Sequence, residues 1–170
     1  FFVYGNFNLS FLMDIREGGY VFNGTAYELV KSGLSTKTLD RGTTTVLPGV
    51  VETSPGVFTP NTQPVILDQT YYTSIYAENA RNFIEDGSWF RLRYVSLSYS
   101  VPQKIINNTP IKGLSFNATA KNLILITDYT GIDPELSIGG AGVRGTGTVG
   151  IDYVGLPATK GFVVGLNVTF

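Results

Sequence analysis

Residues 160–170, KGFVVGLNVTF, constrain the fold more than any other stretch of this chain. Phe162, Val164, Leu166, Val168 and Phe170 take every second position, and Gly161, Gly165, Asn167 and Thr169 lie between them, with Val163 the one apolar intruder. A period of two belongs to a pleated strand, whose side chains alternate between faces. The segment therefore predicts a sheet with one oily and one polar side. It ends on an aromatic of the oily face, although strand ends commonly trail into polar residues that fray. A buried edge strand of a β-sandwich would show the same alternation.

Three further segments repeat the pattern. In residues 6–16, Phe7, Leu9, Phe11, Met13 and Ile15 alternate with Asn8, Ser10, Asp14 and Arg16. In residues 88–101, Val95, Leu97, Tyr99 and Val101 oppose Ser96, Ser98 and Ser100. Upstream the phase reverses, because Phe90, Leu92 and Tyr94 are apolar while Arg91 and Arg93 are not. A slip of one residue flips every side chain. Either a bulge lies near Tyr94-Val95, or this part stands outside the oily band with its arginines toward anionic headgroups. In residues 114–127, Leu114, Phe116, Ala118 and Ala120 face away from Ser115, Asn117, Thr119 and Lys121.

The connections are unequal. Residues 18–84 form a long one without clear strand alternation. In it Thr25-x-x-Glu28 predicts a capping box for a short helix, and Gly33 its stop. Residues 42–64, rich in Thr, Pro and Gly, read as loop. Tyr71, Tyr72 and Tyr76 either pack this loop onto its neighbours or form a contact surface for carbohydrate or peptide. Asp86-Gly87 reads as a turn. Residues 103–113 make a short connection. Residues 128–157 make another long one, with seven glycines from Gly131 to Gly150. Short and long connections thus alternate between opposite ends of the sheet. That is the asymmetry of outer-membrane barrels, with short periplasmic turns and long extracellular loops.

Composition narrows the chemistry. Charged residues are 15% of the 170, low beside about 25% in soluble domains, and the net charge of -1 makes no electrostatic case for nucleic acid. Cys and His are both absent, removing thiolate sites, the commonest metal ligand and the commonest general base. Asp133 and Glu135 flank Pro134 in a glycine-rich stretch and read as turn chemistry rather than an acid/base pair. No cofactor and no catalysis are expected. No run of about 18 apolar residues predicts a transmembrane helix. The opening on Phe1-Phe2, with no signal peptide ahead of it, predicts a fragment.

Several linked blocks carry a family resemblance. Residues 83–93 (FIEDGSWFRLR) and 97–102 (LSYSVP) closely resemble the late barrel of the SusC/RagA family. So do Asn122-Leu123, residues 127–135 (TDYTGIDPE), and 150–153 (GIDY) with Pro157 before the last strand. Earlier, Gly18-Gly19 and Leu39-Asp40-Arg41 also look like the family. One departure is that Phe1–Gly5 looks like the end of an earlier strand, yet Gly5 runs straight into Asn6-Phe7, as if residues were missing there.

The resemblance implies an all-β protein, a transmembrane antiparallel β-barrel of about 22 strands closed around a plug, of which residues 1–170 are roughly the last four. It implies a TonB-dependent transporter of the bacterial outer membrane in Bacteroidota. Such a transporter imports oligosaccharides or peptides with a SusD-like surface lipoprotein and meets TonB through upstream parts. Loops 18–84 and 128–157 would be extracellular, with Tyr71, Tyr72, Tyr76, Tyr129, Asp133 and Glu135 as possible contacts to partner or substrate. Asn8, Ser10, Ser98, Asn117, Thr119, Lys121 and Asn167 would face the lumen. Phe162, Val164, Leu166, Val168 and Phe170 would face lipid or lipopolysaccharide and form the C-terminal signal read by the barrel assembly machinery. Two alternatives stay open. One is a SusC-like barrel acting as a docking subunit of a secretion or assembly complex; the other is a soluble carbohydrate-binding sandwich.

Overall fold

The alternating segments become one sheet. The computed structural model describes residues 1–137 and 150–170, and most of the glycine-rich part of the second long connection lies outside these. Five strands, β1 (Phe2–Tyr4), β2 (Phe7–Arg16), β3 (Trp89–Ser100), β4 (Gly113–Thr127) and β5 (Gly161–Thr169), pair in chain order. Every pairing is antiparallel. Where four strands are expected there are thus four long ones and a three-residue β1. The chain passes from β1 into β2 through Gly5-Asn6, with Gly5 in the left-handed region at φ 57°. No helix among the described residues is long and apolar enough to cross a membrane, which says nothing of strands.

Register puts all the oily stripes on one side. Leu9, Leu97, Ala118 and Val164 form one row across the sheet, and Tyr99, Phe116 and Leu166 another with Phe7. Among the described residues nothing covers this face: Phe162, Val164 and Phe170 are 76%, 82% and 73% exposed. An apolar area of this extent marks a surface made to meet another apolar phase. It has no opposing sheet of the kind a sandwich core requires.

The phase reversal in β3 is a bulge. Tyr94 pairs with Leu12 and Lys121, whereas Leu92 pairs with Met13 and Ile124. Arg93 is therefore the extra residue, one position before the expected Tyr94-Val95. On β4 the matching irregularity lies between Lys121 and Ile124, where Asn122 adopts φ 52° and its amide donates to the Thr159 carbonyl at 2.9 Å. The bulge turns Arg91 and Arg93 to the polar face. The headgroup alternative is thereby corrected: Arg91 is 2% exposed and paired with acids.

Beyond the Arg16, Trp89 and Thr127 end of the sheet the two long connections fold together. Residues 18–84, expected as loop, contain short strands of their own. Tyr20–Asn23 pairs antiparallel with Ile84–Asp86 and parallel with Ile151–Asp152, and Thr44–Val46 pairs with Pro64–Ile66. A hairpin joins Val50–Ser54 to Val57–Pro60. Helix α1 (Gly24–Lys31) comes directly after Tyr20–Asn23, and its cap corrects the expected Thr25 box. The Asn23 side chain accepts from Ala26 N at 2.8 Å, leaving Thr25 inside the helix and Glu28 bonded elsewhere. Gly33, at φ 69°, ends it as expected.

The hydrophobic core sits in this crown rather than on the sheet. Val30, Leu67, Tyr72 and Phe83 form its buried centre, with Phe22, Tyr27, Tyr71 and Tyr76 packed around them. The tyrosine cluster is part of this packing. Tyr76 meets Phe83 edge-on at 5.9 Å and Tyr71 meets Tyr72 at 5.1 Å.

Candidate functional site

The bulge on β3 places two arginines against the start of the second long connection. Arg91 Nη2 donates to Asp133 Oδ1 at 2.6 Å, and its Nε lies 2.6 Å from Glu135 Oε2. Arg93 Nη2 bridges Glu135 Oε1 at 2.5 Å and Asp14 Oδ2 at 3.0 Å. Bulges re-aim side chains in this way. The Trp89 ring lies beside both guanidinium groups, 5.2 Å from Arg93 and 5.8 Å from Arg91. Asp133 Oδ1 also accepts from Glu135 N at 3.0 Å, so the expected turn chemistry and an ion pair coexist on one carboxylate.

The clasp is graded in burial. Side-chain exposure is 3% for Arg91 and 5% for Asp133, but 29% for Arg93, 26% for Glu135 and 49% for Asp14. Exposed pairs contribute about 0–1 kcal/mol. The inner pair is different, because a charge left alone there would have lost its solvation without compensation. The clasp thus locks residues 133–135 onto the polar face of the sheet.

A second network ties the two connections to each other. Asp152, 1% exposed, accepts from the Tyr129 hydroxyl at 2.6 Å and from Thr25 Oγ1 at 3.0 Å. Burial, reinforced by the bond to Asp152, pushes the Tyr129 hydroxyl well above its ordinary range. Glu85 receives Thr130 N at 2.7 Å, Thr130 Oγ1 at 2.8 Å and Asn23 Nδ2 at 2.9 Å. Burial works against its charged form, yet these donors hold the carboxyl below the usual carboxylate range. Tyr153 donates to Glu28 at 2.5 Å, and Phe22 N to the Gly150 carbonyl at 2.8 Å.

Gly24 allows a close approach of the two connections. A Cβ there would lie 2.7 Å from the backbone oxygen of Asp152 and 2.5 Å from the Tyr153 ring. Gly24→Ala should cost about 1–3 kcal/mol of local stability, the usual penalty for overpacking. Hydrogen exchange should quicken at residues 20–26 and 150–154 while β2 to β5 keep their protection. Unchanged exchange at both segments would show that the contact yields freely.

The expected site residues fall into distinct places. Asn8, Ser98 and Asn117 form one row on the polar face, with Gly165 completing it; Ser10, Ser96 and Thr119 form the next. Ser96 and Thr119 share a hydrogen bond of 2.7 Å. Gly165 leaves the space that the Asn117 amide occupies. Lys121 opposes Tyr94, and Asn167 opposes Ser115, on the same face. Phe162, Val164, Leu166, Val168 and Phe170 lie along the opposite, uncovered side. Of the residues expected as loop contacts, Tyr72, Tyr129 and Asp133 are buried; Tyr129 and Asp133 turn their polar groups inward to Asp152 and Arg91, while the Tyr72 hydroxyl donates to the exposed Asp40. Tyr71, Tyr76 and Glu135 are half-buried. Arg91, Arg93, Asp14, Glu85 and Asp152 were not singled out by sequence reasoning as one assembly. The signal was the pair of x-Arg-x-Arg and Asp-x-Glu spacings, each of period two.

No protein-family model matches the chain. It is 28% identical over 168 residues to TonB-dependent receptor P3 of Formosa agariphila, across 98% of this chain and 15% of that protein. It is 35% identical over 88 residues to TonB-dependent receptor P26 of the same organism, across 52% of this chain and 9% of that protein. Among solved structures, the RagAB peptide importer in the open-open state superposes with a TM-score of 0.61 at 21% identity, covering 97% of this chain and 16% of that one. The closed-closed state gives 0.58 at 22% identity over the same shares. The chain spans less than a fifth of the length of each of these proteins. The chain is thus similar in sequence to TonB-dependent receptors over nearly its whole length, and it shares the fold of one part of a RagAB peptide importer chain.

Proposed function

We propose that residues 1–170 are the C-terminal wall and crown of a transmembrane barrel of about 22 strands in the outer membrane, and that the whole protein imports oligosaccharides or peptides. One observation carries the reading: an uncovered apolar face on one side of the sheet and a mainly polar face on the other, broken by Val3, Leu12 and Val163. An open edge in lipid costs several kcal/mol for each unpaired group, so β5 and β1 must be completed by further strands. In this reading a SusD-like lipoprotein sits on the crown, TonB engages parts upstream, and the polar face lines the lumen around a plug. Deleting the gene for the full-length protein should abolish uptake of at least one member of a labelled oligosaccharide and peptide library. Uptake of every member at the parental rate would favour the docking-subunit alternative.

Topology is testable directly. The two long connections leave one end of the sheet, and residues 101–112 leave the other, where Thr169 pairs with Gly113. With the crown extracellular, an impermeant amine reagent on intact cells should modify Lys37 and spare Lys104 and Lys112. The reverse pattern would invert the protein.

The last strand carries a further expectation. If its oily stripe and Phe170 are read by the assembly machinery through strand addition, main-chain bonds supply affinity and alternate side chains specificity. Deleting Phe170, or making Phe170→Asp, should then lower the folded outer-membrane level while synthesis continues, and more than a change at Val163 on the polar face. Unchanged levels and rates would reduce Phe170 to rim packing.

A further inference from the structure

A cleft of about 230 Å³ opens in the crown between the end of α1 and the segment that follows it. Val30 and Tyr72 give it an apolar side, Ser32 and Gln69 supply hydroxyl and amide groups, the buried Thr38 donates its hydroxyl to the Ser35 carbonyl, and Lys31 and Arg41 are the charged residues. Among the described residues no acidic side chain lines it, although Asp40 accepts from the hydroxyl of the lining Tyr72. Residues 17–88 carry eight acidic and four basic residues, so their overall charge is negative. Three of those four basic residues fall within residues 31–41. Positive charge in an acidic crown is thus gathered beside one concavity.

Each cation has one exposed polar contact. Arg41 Nη1 donates to the Gly33 carbonyl at 2.9 Å, which anchors one edge of the guanidinium and leaves its other donors free to pair. Gly33 offers that carbonyl because it closes α1 in the left-handed region at φ 69°. Lys31 Nζ donates to Tyr27 Oη at 3.1 Å and sits 4.8 Å from the centre of that ring. A guanidinium fork matches the planar geometry of a carboxylate. The uncharged polar groups around it match hydroxyls, and a concave, partly apolar site with a few convergent polar groups is the ordinary form of a small-ligand pocket.

We infer that the cleft lined by Lys31, Arg41, Ser32, Thr38, Gln69 and Tyr72 is a subsite for a carboxylate-bearing sugar unit of an acidic oligosaccharide. The inference rests on the importer reading for its biological use, and it narrows the substrate class of that reading. Arg41 takes the carboxylate, Lys31 adds longer-range attraction, and Ser32 and Gln69 meet the ring substituents. A peptide carboxylate would meet the same two cations but would make no use of the Ser32 and Gln69 edge.

The test uses the full-length protein in lipid nanodiscs and equilibrium titration with three probes: an oligogalacturonate, a neutral cello-oligosaccharide of equal length, and a peptide with a free C-terminal carboxylate. The oligogalacturonate should bind most tightly, and its affinity should fall with added salt, as screening requires. Arg41→Gln and Lys31→Gln should each weaken it by about tenfold, a loss of one charge-assisted contact, with Arg41→Lys recovering part of the loss. Should Arg41→Gln fail to reach the membrane, Lys31→Gln carries the same comparison. Equal binding of acidic and neutral saccharides, tighter binding of the peptide, or variants that bind like the parent would each overturn the subsite. Cells that import no saccharide, with Arg41-dependent binding intact in the nanodisc, would overturn the importer reading and leave the subsite standing.

Discussion

Arg91→Ala in the full-length protein should cost about 3–5 kcal/mol, the penalty for breaking a buried ion pair from one side. The reason is what stays behind. Asp133 is 3% exposed, and without Arg91 its carboxylate keeps Glu135 N at 3.0 Å and Ala158 N at 3.4 Å as donors. Two backbone amides do not replace the solvation that a buried carboxylate has given up. Denaturant unfolding should show the loss, and hydrogen exchange should localise it to residues 128–137. Arg93→Ala is the control: its pairs are a quarter to a half exposed, so about 0–1 kcal/mol is expected. Replacing Arg91 and Asp133 together by Met and Leu should recover most of the deficit, since an apolar pair of similar volume fills such a site without a desolvation penalty. An Arg91→Ala cost no larger than that of Arg93→Ala would show that water reaches the inner pair.

Phe11→Arg should destabilise the protein in lipid vesicles by about 2–4 kcal/mol, and Ile15→Arg much less. Both residues lie on the apolar face of β2, but Phe11 opposes Val95 near the middle of the strand and Ile15 opposes Phe90 at the crown end. The depth of the site within lipid, rather than the substitution, sets the cost. Phe11 also stacks on Phe2 at 5.9 Å, so part of its loss is packing, and Leu97→Arg, which touches the same row as Leu9 and Val164, provides a check without that stack. Ser98→Arg on the opposite face should be tolerated better than either. A larger penalty for Ser98→Arg than for Leu97→Arg would mean that the two faces have been exchanged.

The two expectations draw on different sources of information. The lipid-face experiment could be designed from sequence, because period-two alternation is local and survives whatever the strands pair with. All four long strands lie where the alternation puts them, and of the two readings of the reversed phase at Arg91 and Arg93 the bulge is the one that forms, at Arg93 rather than Tyr94-Val95. The clasp could not be designed in that way. Arg91 and Asp133 are 42 positions apart, and their meeting depends on the register of β3 against β4 and on the path of the chain beyond Thr127. The arginines were therefore left open between a bulge and anionic headgroups, and the acids between turn formers and loop contacts, with nothing to join the two sets.

The crown shows the same division. Its stop at Gly33 was legible because a left-handed C-terminal position favours glycine for steric reasons that act within a few residues. Its cap was misplaced because Thr25 and Asn23 are both competent, and the choice depends on Asp152 and Glu85 arriving from elsewhere in the chain. The tyrosines were left open between packing and contact until Phe83 and Leu67 closed around them. By itself, then, the sequence determined the four long strands, the face that most of their side chains take, and the uneven connections, all of which follow from local geometry and patterning. Only the tertiary structure decided which charges are buried, which loop touches which, and where the cations of the crown gather around a cleft. Those depend on contacts between residues far apart in the chain, and local periodicity carries no information about them.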